Sequence, residues 1–317
     1  MDQQIPAEIR NLRPDDLDVV VQIDRALTRR SRRGYFENRL KAAIADPDQF
    51  IILGMEQNGQ LAGYVFARIY DGEFGSQGKI AVLDTIGVDP EAHAKGTGRA
   101  LLGALDQKLA ANGATEIRTQ ADWNFTGMLG FFSATGFQLA PAHVLEGATS
   151  WKPNHDTLED REFDDHVSAQ QIEPIRSLHK EDLEQLIRIE RRITGQERRE
   201  YYTAKMAEAL DETGIRVSLV SEVDGHVAGF IMARTDYGEF GRTEPAAVLD
   251  VINVDPGHGH QGIGHALMSQ LFTNLGGLMI ETTRTTVAWD NFALLGFMEQ
   301  CGFAPSQRLI FRRTIPS

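Results

Sequence analysis

The residues best suited to chemistry lie in two near-copies of one segment. The first runs Val-Asp-Pro-Glu-Ala-His-Ala-Lys-Gly-Thr-Gly-Arg from Val88 to Arg99, and the second runs Val-Asp-Pro-Gly-His-Gly-His-Gln-Gly-Ile-Gly-His from Val254 to His265. Each sets two glycines one residue apart, Gly96 and Gly98 or Gly262 and Gly264, between a strand-like apolar run and a helix-like one. Glycine permits backbone angles that aim successive N–H groups into one concavity, and the helix that follows adds its positive end. That combination holds a pyrophosphate with few cationic side chains. Lys95 adds a charge to the first loop; Gln261 adds none to the second. A dinucleotide fingerprint needs a third glycine at Leu101 or Leu267, and a triphosphate loop needs Gly-Lys-Ser/Thr, so neither is present.

Acids flank both loops. Asp84 and Asp250 lie on the strands that lead into them, and strict alternation puts their side chains on the face of Ile86 and Ile252. A carboxyl on a mostly apolar strand acquires a raised pKa when buried, which suits a general base near neutrality. The competing reading is a carboxylate that bonds neighbouring backbone. Glu73 and Glu239 occupy identical Gly-Glu-Phe-Gly turns, as candidate acceptor-side acids or as solvated turn residues. Arg29, Arg30, Arg32 and Arg33, partly repeated as Arg198 and Arg199, either receive an anionic acceptor group or form a charged helix face. Trp123 and Trp289 read as packing residues, and Cys301 as a small buried one. His93, His258, His260 and His265 share no spacing between the copies, which argues against a metal site.

The elements that must position these residues come twice. Residues 9 to 137 match 175 to 303 at a constant offset of 166 without a gap, carrying Val82-Leu83-Asp84 onto Val248-Leu249-Asp250 and Gly136-Phe137 onto Gly302-Phe303. A repeat this long means two whole domains. They are expected over 1–150 and 169–317, joined by an acidic connector over 151–168. Within each copy, Asn58-Gly59 and Asp224-Gly225 signal two-residue hairpins. Strand four (Ile80 to Val88; Ala247 to Val254) runs into the glycine loop and a helix, and strand five is expected over Glu116 to Gln120 and Met279 to Thr283. The fold class is α/β (α+β): a mixed, mostly antiparallel sheet flanked by helices, in tandem.

Composition bounds the remaining classes. A chain of 317 residues with 42% apolar and 24% charged residues is long enough for two cores, and one cysteine excludes an internal disulfide framework. A net charge of -13 argues against nucleic acid, and no run approaches the ~18 apolar residues of a membrane span, so a cytoplasmic protein is expected.

Strand-four Val-Asp-Pro, both glycine loops and the downstream Trp…Leu…Gly-Phe…Gly-Phe pattern together resemble the GNAT superfamily of acyl-CoA-dependent N-acyltransferases, over nearly all of both copies. The resemblance implies strands four and five that splay to admit coenzyme A, with acetyl-CoA or another acyl-CoA as cofactor and an amine as acceptor, either a small molecule or a protein N-terminus. It implies cofactor contacts from Ile86, Gly87, Val88, His93, Ala94, Lys95, Gly96, Thr97, Gly98 and Arg99. In the second copy they come from Ile252, Asn253, Val254, Gly259, His260, Gln261, Gly262, Ile263, Gly264, His265 and the helix-four Asn291. The catalytic candidates are Asp84, Asp250, Glu73 and Glu239. The sequence departs from the family where a tyrosine commonly acts as general acid: Phe132 and Met298 stand there. Three readings follow: two working N-acetyltransferase sites, one working site with a supporting copy, or an acyl-CoA sensor without catalysis. The chain is expected as a monomer or homodimer, since two fused copies can form the pair that single domains make.

Overall fold

A computed structural model of the chain describes residues 7–71, 78–92, 96–152, 175–212, 216–236 and 238–316. It divides into two compact units.

The first unit opens with β1 (Glu8–Asn11), α1 (Leu17–Thr28) and α2 (Arg33–Ala45), then β2 (Phe50–Gln57) and β3 (Gln60–Asp71). β4 (Lys79–Val88), α3 (Thr97–Ala111), β5 (Glu116–Asp122), α4 (Thr126–Ala134) and β6 (Gln138–Leu139) follow. The next strand, β7 (Ala142–Ala148), belongs to the second unit, as do β8 (Arg176–Ser177), α5 (Leu183–Thr194), α6 (Arg199–Ala207), β9 (Leu219–Val223) and β10 (His226–Asp236). β11 (Ala246–Val254), α7 (Ile263–Gly277), β12 (Thr282–Ala288), α8 (Phe292–Gln300) and β13 (Phe303–Pro305) complete it. The last strand, β14 (Arg308–Thr314), returns to the first unit.

Among the described residues each sheet has seven strands, in the orders β1-β2-β3-β4-β5-β14-β6 and β13-β7-β12-β11-β10-β9-β8. The domains are therefore not the contiguous halves 1–150 and 169–317. The first unit takes Met1–Pro141, Tyr237–Glu244 and Gln307–Ser317, and the second takes Ala142–Asp236 and Pro245–Ser306. The copies have exchanged their last strands: β14 pairs with β5 from Arg308–Asp122 to Thr314–Glu116, and β7 pairs with β12 from Thr282–Ala148 to Ala288–Ala142. The connector expected over 151–168 lies, from residue 153 on, outside the described residues.

Both faces of each sheet are covered, which is why central strands read as continuous apolar runs rather than alternating ones. In the first unit Leu53, Val65, Ala67 and Leu83 pack under Leu101, Leu102 and Leu105 of α3, while Ile52, Tyr64 and Phe66 pack against Val20, Ile23 and Phe36 of α1 and α2. The predicted hairpin turns form, with Asn58 at φ 52° and Gly59 at 76°, and Asp224 at 52° and Gly225 at 75°. Those are the two positive φ angles a type I′ turn requires. Strand five of the second copy begins at Thr282, later than the expected Met279. Met279 sits at φ 58° in the turn that ends α7, behind the helix-breaking Gly276-Gly277 pair.

Candidate coenzyme and acceptor site

Strands four and five part in both units. β4 and β5 pair only from Ile80–Glu116 to Val82–Arg118, and β11 and β12 only at Ala247–Thr283 and Val248–Arg284. At each fork a threonine hydroxyl takes over from the ladder: Thr119 Oγ1 donates to the Leu83 carbonyl at 2.8 Å, and Thr285 Oγ1 to that of Leu249 at 2.9 Å. Beyond the fork, Asp89 N–H donates to Ala62 O on β3, and Asp255 N–H to Ala228 O on β10. Alternation of the antiparallel ladder then turns the peptide groups of Ile86 and Val88, and of Ile252 and Val254, toward the parted side. Gly87 and Asn253, between them, face back toward β3 and β10.

The glycine loops sit at the mouth of each fork. Gly96 (φ 80°) and Gly262 (φ 77°) are left-handed immediately before α3 and α7, where a side chain would be strained. Gly98 and Gly264 serve another purpose: a Cβ there would lie 3.2 Å from Phe131 or Phe297, so their role is close packing of the helix start on α4 or α8. Thr97 and Ile263 are buried beneath the helix start, whereas Arg99 is exposed. His93, Ala94 and Lys95 lie outside the described residues. In the second loop Gly259 is extended, His260 is left-handed at φ 61°, and His260 and Gln261 are exposed. His265 stacks edge-on to Phe297 at 4.9 Å, and burial holds its imidazole below the usual histidine range, so it is neutral at pH 7. Asn291 caps α8, its side chain accepting from Leu294 N–H at 3.2 Å. A helix start beside a fork that turns strand-four peptides outward fits the pyrophosphate and amide-bearing arm of coenzyme A.

The acids depart from the sequence expectation. On β3–β4 the register jumps from Phe66–Thr85 to Ala67–Leu83, and on β10–β11 from Met232–Val251 to Ala233–Leu249. Asp84 and Asp250 are thus the extra residues of two β-bulges. The bulge breaks the alternation that would align them with Ile86 and Ile252. Ile86 packs with the core under α3, whereas Asp84 and Thr85 turn to the other face, toward Arg39 and Arg32 of α2 and its N-cap.

There Asp84, 1% exposed, accepts from Arg68 Nη2 at 2.9 Å and lies 2.7 Å from Arg68 Nε. Glu239 completes the group, 2.5 Å from Arg39 and 2.8 Å from Arg68. Burial raises the Asp84 carboxyl, Arg68 and Arg39 draw it back, and the charge of Glu239 adds to the rise. Glu239 belongs to the first unit and is buried, which removes the solvated-turn reading for it. Glu73 lies outside the described residues. In the second unit Asp250 lies 3.1 Å from Lys205 Nζ and 3.2 Å from Arg234 Nε, and Glu208 takes the second acid position, 3.5 Å from Lys205 and 3.3 Å from Arg234.

Five of the six arginines are committed to acids of the chain, while Arg29 is the left-handed residue (φ 67°) that ends α1. Arg32 pairs with buried Asp24, Arg33 with Asp18, Arg30 with Glu244, Arg198 with Glu190, and Arg199 with Glu184. Reading the sequence for sites passed over Asp24, Glu190 and Glu208. The first two carried a signal: each is an acid inside the buried stripe of its helix, at matching positions of the repeat. Glu208 carried none, because Ala42 stands at its counterpart. The tryptophans are not packing residues: Trp123 is 55% and Trp289 47% exposed. Cys301 is buried, its thiol pushed up to about 12 by burial. Among the described residues no cluster of metal-ligating side chains occurs, and no helix is long and apolar enough to cross a membrane.

The sequence profile of the acetyltransferase (GNAT) family matches residues 17–137 and 178–303. A mycothiol acetyltransferase from Clavibacter sepedonicus is 31% identical over 115 residues, 36% of this chain and 35% of that protein; the counterpart from Clavibacter michiganensis subsp. michiganensis is 30% identical over the same shares. The chain thus spans about a third of the length of the curated relatives it matches. Among solved structures, a tandem GNAT protein from the clavulanic acid biosynthesis pathway aligns with a TM-score of 0.65 at 17% identity, over 98% of this chain and 99% of that one. A GCN5-related N-acetyltransferase from Sphaerobacter thermophilus aligns with a TM-score of 0.62 at 13% identity, over 98% and 96%. At such identities the likeness is one of fold.

Proposed function

Since the chain belongs to the acetyltransferase (GNAT) family, in tandem, we propose that it is an acetyl-CoA-dependent N-acetyltransferase acting on a primary amine by direct attack on the thioester. The observation that carries this reading is the parted strand pair with a left-handed glycine and a helix start at its mouth, built twice. Coenzyme A would supply the activated acyl group as a thioester. The peptide groups of Ile86 and Val88, or Ile252 and Val254, would hold its amide-bearing arm, and the N–H groups from Gly96 to Arg99, or from Gly262 to His265, its pyrophosphate. In the first loop Lys95 and Arg99 add positive charge; in the second Gln261 and neutral His265 leave the work to the backbone. Asn291 keeps an amide N–H for the arm while its oxygen caps α8.

The two strand-four acids differ in what an amine could reach. Over matching stretches, Asp84, Thr85 and Gly87 of the first unit are buried with Ile86 and Val88 half-buried, whereas Asp250 to Val254 of the second are half-buried throughout, and the Asp250 side chain is 9% exposed against 1% for Asp84. This favours the second unit as the acetylating one, with Asp250 receiving the proton of the amine directly or through water, and Lys205 and Arg234 holding it. Asp84 and Glu239 then serve as the sealed charge group of a supporting copy that still binds coenzyme. Phe132 and Met298 are buried and cannot donate a proton, so the departing thiolate takes its proton from solvent or from the attacking ammonium. A single thiol held buried suits the reducing cytoplasm.

Titration calorimetry with acetyl-CoA is expected to give two equivalents, and release of free thiol with a panel of amines to vanish in Asp250→Ala. No heat with acetyl-CoA would remove the cofactor reading, and coenzyme binding without thiol release from any amine would leave a sensor.

A further inference from the structure

We propose that Trp123 and Trp289 each stack on the adenine ring of a bound coenzyme A, so that every unit grips the nucleotide by an indole as well as by its helix start. This rests on the acyl-coenzyme A reading above.

Ile117, Thr119 and Ala121 are the buried residues of β5, and Ile117 and Ala121 pack on the face covered by α3 and α4. Trp123 continues that alternation two residues past Ala121, as Trp289 continues Thr283, Thr285 and Val287. β4 and β5 are parallel, so their C-terminal ends share one rim, and the glycine loop and the start of α3 lie on it. Gly98 abuts Phe131 on α4, five residues or about 8 Å along a helix that begins three residues after Trp123. The indole and the anion-binding helix start therefore share a face and a rim.

Distance from the fork separates the nucleotide end from the reacting end. From Thr119 at the fork to Trp123 is four residues, about 13 Å of extended chain. A thioester lying at the fork, where the acids gather, puts its pantetheine along the parted strands and its nucleotide beyond them. An acceptor amine works at the other end and leaves the tryptophans untouched.

Scattered exposed apolar residues are ordinary, but here an exposed indole is followed within two or three residues by an exposed phenyl ring in both copies: Trp123 by half-exposed Phe125, and Trp289 by Phe292, which is 77% exposed. Trp289 leans on His143 at 5.7 Å and still shows nearly half its surface. A purine face is the part of the coenzyme that such a ring recognises, since stacking needs a π-surface and no hydrogen-bond code.

The test compares acetyl-CoA with S-acetyl-4′-phosphopantetheine, which lacks the adenine together with its phosphorylated ribose and one phosphate of the pyrophosphate, on the full chain. Acetyl-CoA is expected to quench tryptophan fluorescence and the truncated thioester to leave it unchanged. Trp123→Ala and Trp289→Ala should each weaken acetyl-CoA at one of the two sites by about 5- to 30-fold, the range for a base stack kept half in water. Neither should alter affinity for the truncated thioester, and Trp289→Phe should recover most of the loss. Equal weakening of both ligands would assign the tryptophans to loop support and overturn the proposal. So would unchanged acetyl-CoA affinity, including the case in which only the KM for the amine rises. Absence of binding by either ligand to the unaltered chain would instead remove the coenzyme reading, and this one with it.

Discussion

The two units solve one electrostatic problem with carboxylates from different places. Each bulged aspartate meets one cation from the second helix and one from strand three: Arg39 and Arg68 around Asp84, Lys205 and Arg234 around Asp250. Two buried cations need a second acid. The first unit draws Glu239 from the turn before β11, a stretch of the second copy, while the second unit uses Glu208, on a widened helical turn that directly follows α6. Charge balance is kept while its source is free to move. The position that changed is Ala42 against Glu208, and the site that took its acid from elsewhere became the sealed one. Two copies of one domain can thus diverge in access without losing a charge from the cluster.

Removing the exchanged strand should have the largest effect. A chain ending at Ser306 lacks β14, leaves β5 without its outer partner, and is expected to lose the cooperative unfolding of the first unit in calorimetry. An unchanged pair of transitions would mean that β14 is dispensable. Next comes Glu239→Ala, which strips an acid from a buried cluster and should cost the first unit about 3–5 kcal/mol. Glu208→Ala should cost the second unit less, about 1–3 kcal/mol, because its acids are less deeply buried, Asp250 9% and Glu208 7% exposed at the side chain against 1% for Asp84 and 2% for Glu239. Equal losses would erase the distinction between a sealed and an open site.

Activity sharpens the same contrast. Asp250→Asn should lower turnover about 10²-fold or more, within the range of general-base catalysis, while acetyl-CoA affinity stays. Gly87→Ala acts on the sealed unit alone. Its Cβ would lie 2.6 Å from the Tyr64 ring, so about 1–3 kcal/mol of stability is lost with turnover retained, as thermal melts and steady-state rates would show.

Acid should act on both units alike and least of all. Arg10 holds Asp16 below the usual carboxylate range, and Arg176 outweighs burial to do the same for Asp182. A depressed folded-state pKa gives stability that is full above about pH 4 and is lost as pH falls through the folded value. Asp16→Asn and Asp182→Asn should each flatten that acid limb, by about 0.2–1 kcal/mol. A steeper limb would reverse the sign.

Much of this was readable from the letters where local chemistry decides. The repeat, the I′ turns at Asn58-Gly59 and Asp224-Gly225 and the left-handed Gly96 and Gly262 need only neighbours in sequence. The bulges at Asp84 and Asp250 were hidden because a bulge is a mismatch with the partner strand, and alternation along one strand cannot show it. The ownership of β7 and β14 was hidden because both follow two-residue links and either could edge either sheet. Exposure of Trp123 and Trp289 depends on what fails to cover them, and composition does not report that.

The strand exchange sets an order in time. The strand that closes the first sheet lies ~165 residues after Pro141, roughly 10 to 30 s of translation at common rates. During that interval β5 presents an open edge on the nascent chain, and the adjacent β7 waits for β12. The first unit to be synthesised is thus the last whose sheet can close, and a pause or a premature stop late in the message would spoil the early half of the protein.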